Sequence, residues 1–231
     1  MGDFPHFDIM RSYYPESKVE TKGFIASHYD ALLDIVSFGK YSLIIKSAIE
    51  MMGIRQGDKI LDLGAGTGRN ACLMMKYLSQ KGELIGIDIS EEMISQFRKK
   101  CADFPNAKII NARVDQSLPF RRKFDKVFIS LVFHGFPQSV REAVIKNIFG
   151  VLKDGGNLFI LDYNEFALEE MPFYLKIPFK IIECPYAFDF IKRDWKKILT
   201  DRGFSDFGEY IFLNYVRLLK ATKTSIIREG D

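Results

Sequence analysis

Short apolar runs alternate with segments of helical spacing through the middle of this chain, and that alternation constrains the fold more than any other feature. Lys59–Leu63, Glu83–Ile87, Ala107–Ala112, Lys126–Leu131 and Asn157–Asp162 read as strands. Between them, Arg69–Leu78 reads as a helix, and Ser90 is placed to cap a helix that runs to about Ala102 with Met93, Ile94 and Phe97 on one face. Ser139–Leu152 reads as a helix stopped by Lys-Asp-Gly-Gly. Strands joined through helices pair in parallel, and the crossovers cover both faces of the sheet. Near the C-terminus the pattern changes. Asp194–Thr200 reads as a helix ended by Gly203, and Phe207–Phe212 and Tyr215–Ala221 are separated only by Leu213 and Asn214. So short a connection joins an antiparallel pair. The expected fold is α/β and doubly wound, with a mostly parallel seven-stranded sheet that ends in a C-terminal antiparallel hairpin.

Ahead of the first strand, Ala31, Leu32, Ile35 and Val36, then Leu43, Ile44, Ala48 and Met51, recur at helical spacing, with Gly39 breaking the run into two cap helices. The expected organisation is a single domain over 1–231. Residues 1–52 form an arm and the cap helices, 53–165 a ligand-binding core, 166–221 a substrate lid and the terminal hairpin, and 222–231 a polar, disordered tail.

Composition excludes several classes. With 33 basic and 30 acidic residues the net charge is +3. That balance does not point to nucleic acid, which needs a concentrated basic patch. The longest apolar stretches fall well short of a bilayer span, and Met1–Asp8 lacks a signal-peptide apolar core, so a cytoplasmic protein is expected. The three cysteines, Cys72, Cys101 and Cys184, are scattered and suggest neither a disulfide framework nor a zinc site. Nothing fixes an oligomeric state. Aromatic residues are in excess at 14 %. They gather before the first strand (Phe24, Tyr29, Phe38, Tyr41) and after residue 165 (Phe166, Phe173, Tyr174, Phe179, Phe188, Phe190, Trp195). They read as core packing, or as two halves of a lid over one apolar pocket made from residues 24–45 and 165–195. Lys192, Arg193, Lys196 and Lys197 around Trp195 form a solvated helix face or, at most, a peripheral contact with an anionic membrane.

The segment Lys59–Asn70, KILDLGAGTGRN, places Gly64, Gly66 and Gly68 where the first strand hands over to a helix. In a doubly wound sheet this is the ligand-binding edge, and the helix N-terminus offers free N–H groups there. Gly64 and Gly66 let backbone pass close to a ligand, and Gly68 permits close helix–strand packing. Asp62 sits inside the strand, where an acid needs a donor. Asp88 ends the next strand, where a carboxylate can accept both hydroxyls of a ribose or, alternatively, serve the following helix N-terminus. Arg69 stands where a dinucleotide fingerprint has its third glycine, which, with the terminal hairpin, argues against a nicotinamide-dependent oxidoreductase.

At this point the chain resembles the class I S-adenosylmethionine-dependent methyltransferases. ILDLGAGTG (60–68) and GIDIS (86–90) are followed in the family's order by LPF (118–120), FDKVFIS (124–130), VLKDGGNLFILD (151–162) and LTDRGF (199–204). The resemblance runs from about residue 24 to 221 and implies a Rossmann-like fold, S-adenosyl-L-methionine as cofactor, S-adenosyl-L-homocysteine as product, and no metal. It implies that Gly64, Ala65 and Gly66 run along the methionine part of the cofactor and that Asp62 meets its amino end. Asp88 would hold the ribose, and Ile89 would pack on adenine. Arg113 and Val114 fall at the adenine edge, where the family's usual acid is missing or displaced to Asp115. Ser130 and Leu131 would line the sulfonium end. Within the family, SHYDALLDIVSFGKY (27–41) is similar to the N-terminal signature of the ubiquinone/menaquinone-biosynthesis C-methyltransferases, and Asp162 stands where that branch has an acid. LVFHGFP (131–137) departs from the Gly-Leu-Arg-Asn usual there.

Methyl transfer is an in-line displacement with a neutral leaving group, so positioning the acceptor and excluding water carry most of the burden. A general base is needed only when the acceptor must lose a proton. His134, after the fourth strand, is the candidate base. Tyr29 and Tyr41 are candidate cap contacts to cofactor or substrate. The resulting expectation is methyl transfer to a small apolar or aromatic acceptor, a quinone precursor among the options. The competing readings are a phospholipid or other amine N-methyltransferase, and an RNA-modifying or non-catalytic S-adenosylmethionine-binding protein.

Overall fold

The computed structural model describes residues 40–224. Tyr29, the first of the two expected cap helices and most of the first aromatic segment lie outside the described residues. Helix α1 (Lys40–Met51) leads through a turn into β1 (Lys59–Leu63), α2 (Arg69–Met75), β2 (Glu83–Asp88), α3 (Glu91–Lys100), β3 (Ala107–Asn111) and β4 (Phe124–Ser130). The second half runs through α4 (Gln138–Val151), β5 (Leu152–Tyr163), α5 (Phe173–Ile182), α6 (Pro185–Phe190), α7 (Trp195–Thr200), β6 (Phe204–Phe212) and β7 (Val216–Lys223). The strands form one seven-stranded sheet in the order β3-β2-β1-β4-β5-β7-β6. Strands β1 to β5 pair in parallel and β7 runs antiparallel to both β5 and β6.

Alternation along each strand divides the interior in two. Leu61 and Leu63 of β1 face a cluster that takes in Val144, Ile145 and Ile148 of α4 and reaches Phe190, Trp195 and Leu199. Ile60 faces a second cluster with Ile45 and Ile49 of α1, Met74 of α2 and Phe97 of α3. This is the period-2 pattern of a sheet covered on both sides. The order reverses between β1 and β4, so the loop after β1 opens at the topological switch point.

Local chemistry accounts for the boundaries. The Ser90 hydroxyl accepts from the Met93 N–H at the start of α3, as an N-cap should. Leu213 and Asn214 both have positive φ, 53° and 66°, as a two-residue hairpin turn that follows the strand twist requires. Lys-Asp-Gly-Gly ends α4 but does not form a loop: α4 passes directly into β5, and the register shifts between Phe124 and Lys126 on the neighbouring strand. The expected tail starts at Thr222, but β7 reaches Lys223. Thr222 and Lys223 belong to β7, and the buried Lys223 Nζ donates to the carbonyls of Phe149 at 2.7 Å and Leu152 at 2.8 Å. Helices α5 and α6 had no counterpart in the sequence reading; Pro178 inside α5 masks the helical pattern there, whereas Pro185 opens α6 at a first-turn position.

Candidate active site

The loop after β1 is held by β2. The N–H groups of Gly64 and Ala65 donate to the Ile87 carbonyl at 2.9 and 3.0 Å, and the Gly66 N–H donates to Asp88 Oδ2 at 2.8 Å. Asp88 Oδ1 accepts from the Ser90 N–H at 2.9 Å, so this carboxylate ties the loop to the start of α3. Of the two sequence readings of Asp88, the contact with the Ser90 N–H is the one at the following helix N-terminus. Burial raises its pKa, and the N–H donors of Ser90, Gly66 and Ile89 offset part of the rise. Gly64, Gly66 and Gly68 have φ of 72°, 53° and 82°. A Cβ on Gly64 would lie 2.8 Å from Val132 Cγ2, and one on Gly68 would lie 2.9 Å from the Phe97 ring. Gly68 thus permits close contact with helix α3.

Beside this loop lies a cleft of about 410 Å³, open solvent at its mouth included. Gly64, Ile87, Asp88, Ile89, Ala112 and Val114 line one side, and Val132 and Phe136 the other. Gly64, Asp88, Ile89 and Val114 are thus brought together. Ala65 is buried beneath the loop and fills the space left by Gly86. Arg113 turns aside into a two-pronged pair with Asp115, at 3.0 and 2.7 Å. Leu131, with φ 51°, donates its N–H to the Leu161 carbonyl at the end of β4. Tyr41 lies under the Arg69 guanidinium, 5.1 Å from ring centroid to Cζ, and packs on the α1 side of the sheet. Val132 and Phe136 were missed because they belong to the LVFHGFP stretch, which departs from the family pattern.

Among the described residues, three buried side-chain atoms have no hydrogen-bond partner: Asp62 Oδ2, Asn70 Oδ1 and Ser130 Oγ. All three border the glycine loop. Asp62 precedes it, Asn70 follows it in the first turn of α2, and Ser130 lies one step past the Leu63–Ile129 pair on the adjacent strand. Burial and the nearby charge of Asp88 push the Asp62 pKa up to about 7. An uncompensated buried acid is costly unless a cation reaches it. A ligand with a cationic end for Asp62, a diol for Asp88 and a flat aromatic ring for Ile89, Val114 and Phe136 would suit this donor and acceptor set, and S-adenosylmethionine carries all three.

His134 occupies a short 3₁₀ turn (Phe133–Gly135) after β4. Its Nδ1 lies 2.7 Å from Asp162 Oδ1 and its Nε2 lies 3.4 Å from Glu183 Oε2. The Tyr163 hydroxyl donates to Glu183 Oε1 at 2.6 Å. Burial works against the charged ring, but the two carboxylates outweigh it and hold the His134 pKa up at about 10. With both ring nitrogens facing carboxylates, His134 bridges β5 and the segment after α5, and those carboxylates favour the charged ring over the free base. Arg141, wholly buried, braces this turn by donating to the carbonyls of Phe133, His134 and Tyr186 and to Asp189. Trp195 is also core, 5.1 Å from the Phe133 ring, and Arg193 and Lys196 pair with Asp189 and Glu209. That removes Trp195 as a membrane-facing ring. Among the described residues no helix is long and apolar enough to cross a membrane, and no cluster of three His, Cys, Asp or Glu side chains is placed to hold a metal.

Comparison with known proteins places this chain in a family. The Yersinia enterocolitica protein named ubiquinone/menaquinone biosynthesis C-methyltransferase UbiE is 30 % identical over 151 residues, 64 % of this chain and 59 % of that protein. The chain therefore matches about 59 % of the length of such curated relatives. A crystal structure of a SAM-dependent methyltransferase from Aquifex aeolicus superposes with a TM-score of 0.57 at 19 % identity, over 77 % of this chain and 88 % of that one. Phosphoethanolamine N-methyltransferase 2 of Haemonchus contortus, solved in complex with S-adenosyl-L-methionine, gives 0.58 at 13 % identity over 74 % and 50 %. These two likenesses are of fold. The model of the ubiE/COQ5 methyltransferase family matches residues 16–195, well over half of the 231 residues, and the chain belongs to that family.

Proposed function

We propose that this chain transfers a methyl group from S-adenosyl-L-methionine to a small apolar or aromatic acceptor, with a ring carbon of a quinone precursor as the first candidate. The observation that carries the reading is the set of unpartnered polar atoms around the glycine loop, Asp62 Oδ2 above all, beside a cleft whose Asp88 carboxylate is already oriented. When bound, the cofactor supplies an electrophilic methyl group on a sulfonium whose departure leaves a neutral thioether. Asp62 would hold the amino end, Asp88 the ribose, and Ile89 and Val114 the adenine. Ser130 Oγ stands where the fourth strand meets the loop and would take a polar atom at the reactive end. Val132 and Phe136 add apolar surface to the cleft wall, which would favour a desolvated acceptor. His134 has both ring nitrogens against carboxylates that favour its charged form, so an acceptor that is already ionised suits this site better than one that must give His134 a proton.

The test is binding followed by turnover. Asp88→Ala is expected to weaken S-adenosylhomocysteine binding by about 2–4 kcal/mol, the range for losing charge-assisted hydrogen bonds. Wild-type affinity in a folded Asp88→Ala protein would remove Asp88 from the site. Wild-type protein given S-adenosylmethionine and a panel of phenolic, quinol and amine acceptors should release S-adenosylhomocysteine with the aromatic members. Turnover confined to amines would replace the acceptor assignment.

A further inference from the structure

Two cysteines 29 positions apart meet behind the glycine loop, although nothing in their spacing suggests a pair. Cys72 lies in the first turn of α2, and its N–H donates to the Gly68 carbonyl at 2.9 Å. Cys101 caps the C-terminal end of α3, and its thiol also points to the Gly68 carbonyl, at 3.6 Å. The two sulfurs are 2.7 Å apart and both thiols are free. A covalent sulfur–sulfur bond is about 2.05 Å, so joining them asks for less than an ångström of movement. Cys72 is half-buried and lines a surface cleft with Lys46, Arg69, Lys76 and Lys100. Cys101 lines a second cleft beside it. Cys101 itself is buried, so reagents in solvent reach the pair at Cys72.

We propose that Cys72 and Cys101 form an oxidation site, a dithiol that a peroxide converts into a disulfide bridging α2 and α3. The roles divide by environment. The hydrogen bond from Cys101, against some cost of burial, and the lysines at 100 and 76 favour the Cys72 thiolate. That same shared bond, together with burial, keeps Cys101 a thiol. The Cys72 thiolate attacks one peroxide oxygen, the O–O bond breaks, and a sulfenic acid and hydroxide form. The Cys101 sulfur then attacks the Cys72 sulfur. The S–S bond forms as the S–O bond breaks, and the departing hydroxide takes the Cys101 proton. Two thiols lose two electrons in total, and one peroxide becomes two waters. Oxidation removes the Cys101 thiol proton, the one donor that faces both Cys72 and the Gly68 carbonyl, and draws the start of α2 toward α3. Gly68 is the residue that joins the glycine loop to α2, so the change is delivered to the proposed cofactor loop.

The experiment uses the full-length chain treated with a small excess of hydrogen peroxide, followed by alkylation and peptide mapping. The expected result is one cross-linked peptide pair joining Cys72 to Cys101, formed equally in wild type and Cys184→Ser, absent in Cys72→Ser and Cys101→Ser, and reversed by dithiothreitol. Recovery of both cysteines as alkylated thiols, or of Cys72 only as sulfinic or sulfonic acid, overturns the proposal in wild-type protein alone, whatever the variants do. Titration with S-adenosylhomocysteine should then show several-fold weaker binding to the oxidised form. Equal affinity in the two forms overturns the link to the loop. This last arm rests on the cofactor reading above, whereas the cross-link is independent of it.

Discussion

Burial and the nearby charge of Asp88 raise the Asp62 pKa to about 7, so a cationic ligand group that met this acid would couple its binding to loss of the acid's proton. The folded Asp62 pKa of about 7 lies above the ordinary 3.8, so between those values the folded chain holds a proton that the unfolded chain has lost. Stability contributed by the protonated acid is therefore complete at low pH and lost as pH rises through about 7. A cationic amino group against Asp62 favours the carboxylate, so binding should release up to about one proton near pH 6.5. Calorimetric titration with S-adenosylhomocysteine in two buffers of different ionisation enthalpy measures this. Wild type should give different heats in the two buffers and Asp62→Asn equal ones. Equal heats in wild type would place the amino group elsewhere.

At the scale of an element, the loop between β1 and α2 separates two uses of glycine. Gly64 is confined by Val132, so a methyl group there meets both a left-handed φ of 72° and a 2.8 Å contact. Gly66 has the same kind of φ, 53°, but a Cβ on it would meet nothing closer than the Gly64 carbonyl at 4.0 Å. Gly66→Ala should therefore cost about 1–2 kcal/mol, the usual penalty for a left-handed L-residue, and Gly64→Ala should cost more. Both should lose S-adenosylhomocysteine affinity, Gly66→Ala out of proportion to its loss of stability. Thermal melts paired with binding isotherms decide the matter. A Gly66→Ala protein that melts early yet binds normally would reduce the loop to a tight turn.

Across the whole molecule, the sheet and the helices that follow β5 are joined through buried charge. His134 and Asp162 lie at the carboxyl ends of β4 and β5, while Glu183 belongs to the turn between α5 and α6. Phe179 extends the junction, 5.1 Å from the Tyr163 ring, whereas Phe173, Tyr174 and Ile181 on the same helix face solvent. The His134 pKa of about 10 lies above its ordinary 6.5, so the bridge's contribution is complete below about pH 6.5 and is lost as pH climbs through 10. His134→Gln should lower stability by about 2–4 kcal/mol near pH 6, since it strands buried carboxylates, and should flatten the decline of wild type between pH 7 and 10. Denaturant melts across that range test it; parallel curves for the two proteins would exclude His134 as the titrating group. The aromatic residues after 165 accordingly divide. Phe190 and Trp195 are core, which argues against treating all of 165–195 as one mobile lid.

The amino-acid sequence alone determined the elements whose signals are local. The strand runs, the Ser90 cap, the two-residue hairpin turn at Leu213 and Asn214 and the glycine loop each depend on residues within a few positions of one another. So the parallel sheet with its antiparallel end, and the loop that faces the cleft, were legible before any coordinates. The tertiary structure decided everything that depends on groups brought together from distant parts of the chain. Whether Asp62 would find a donor, whether His134 would be free or clamped between Asp162 and Glu183, and whether Cys72 would meet Cys101 were settled by helix packing and strand order. Solvation and charge at a buried atom are set by all its neighbours in space, and only the folded chain specifies them.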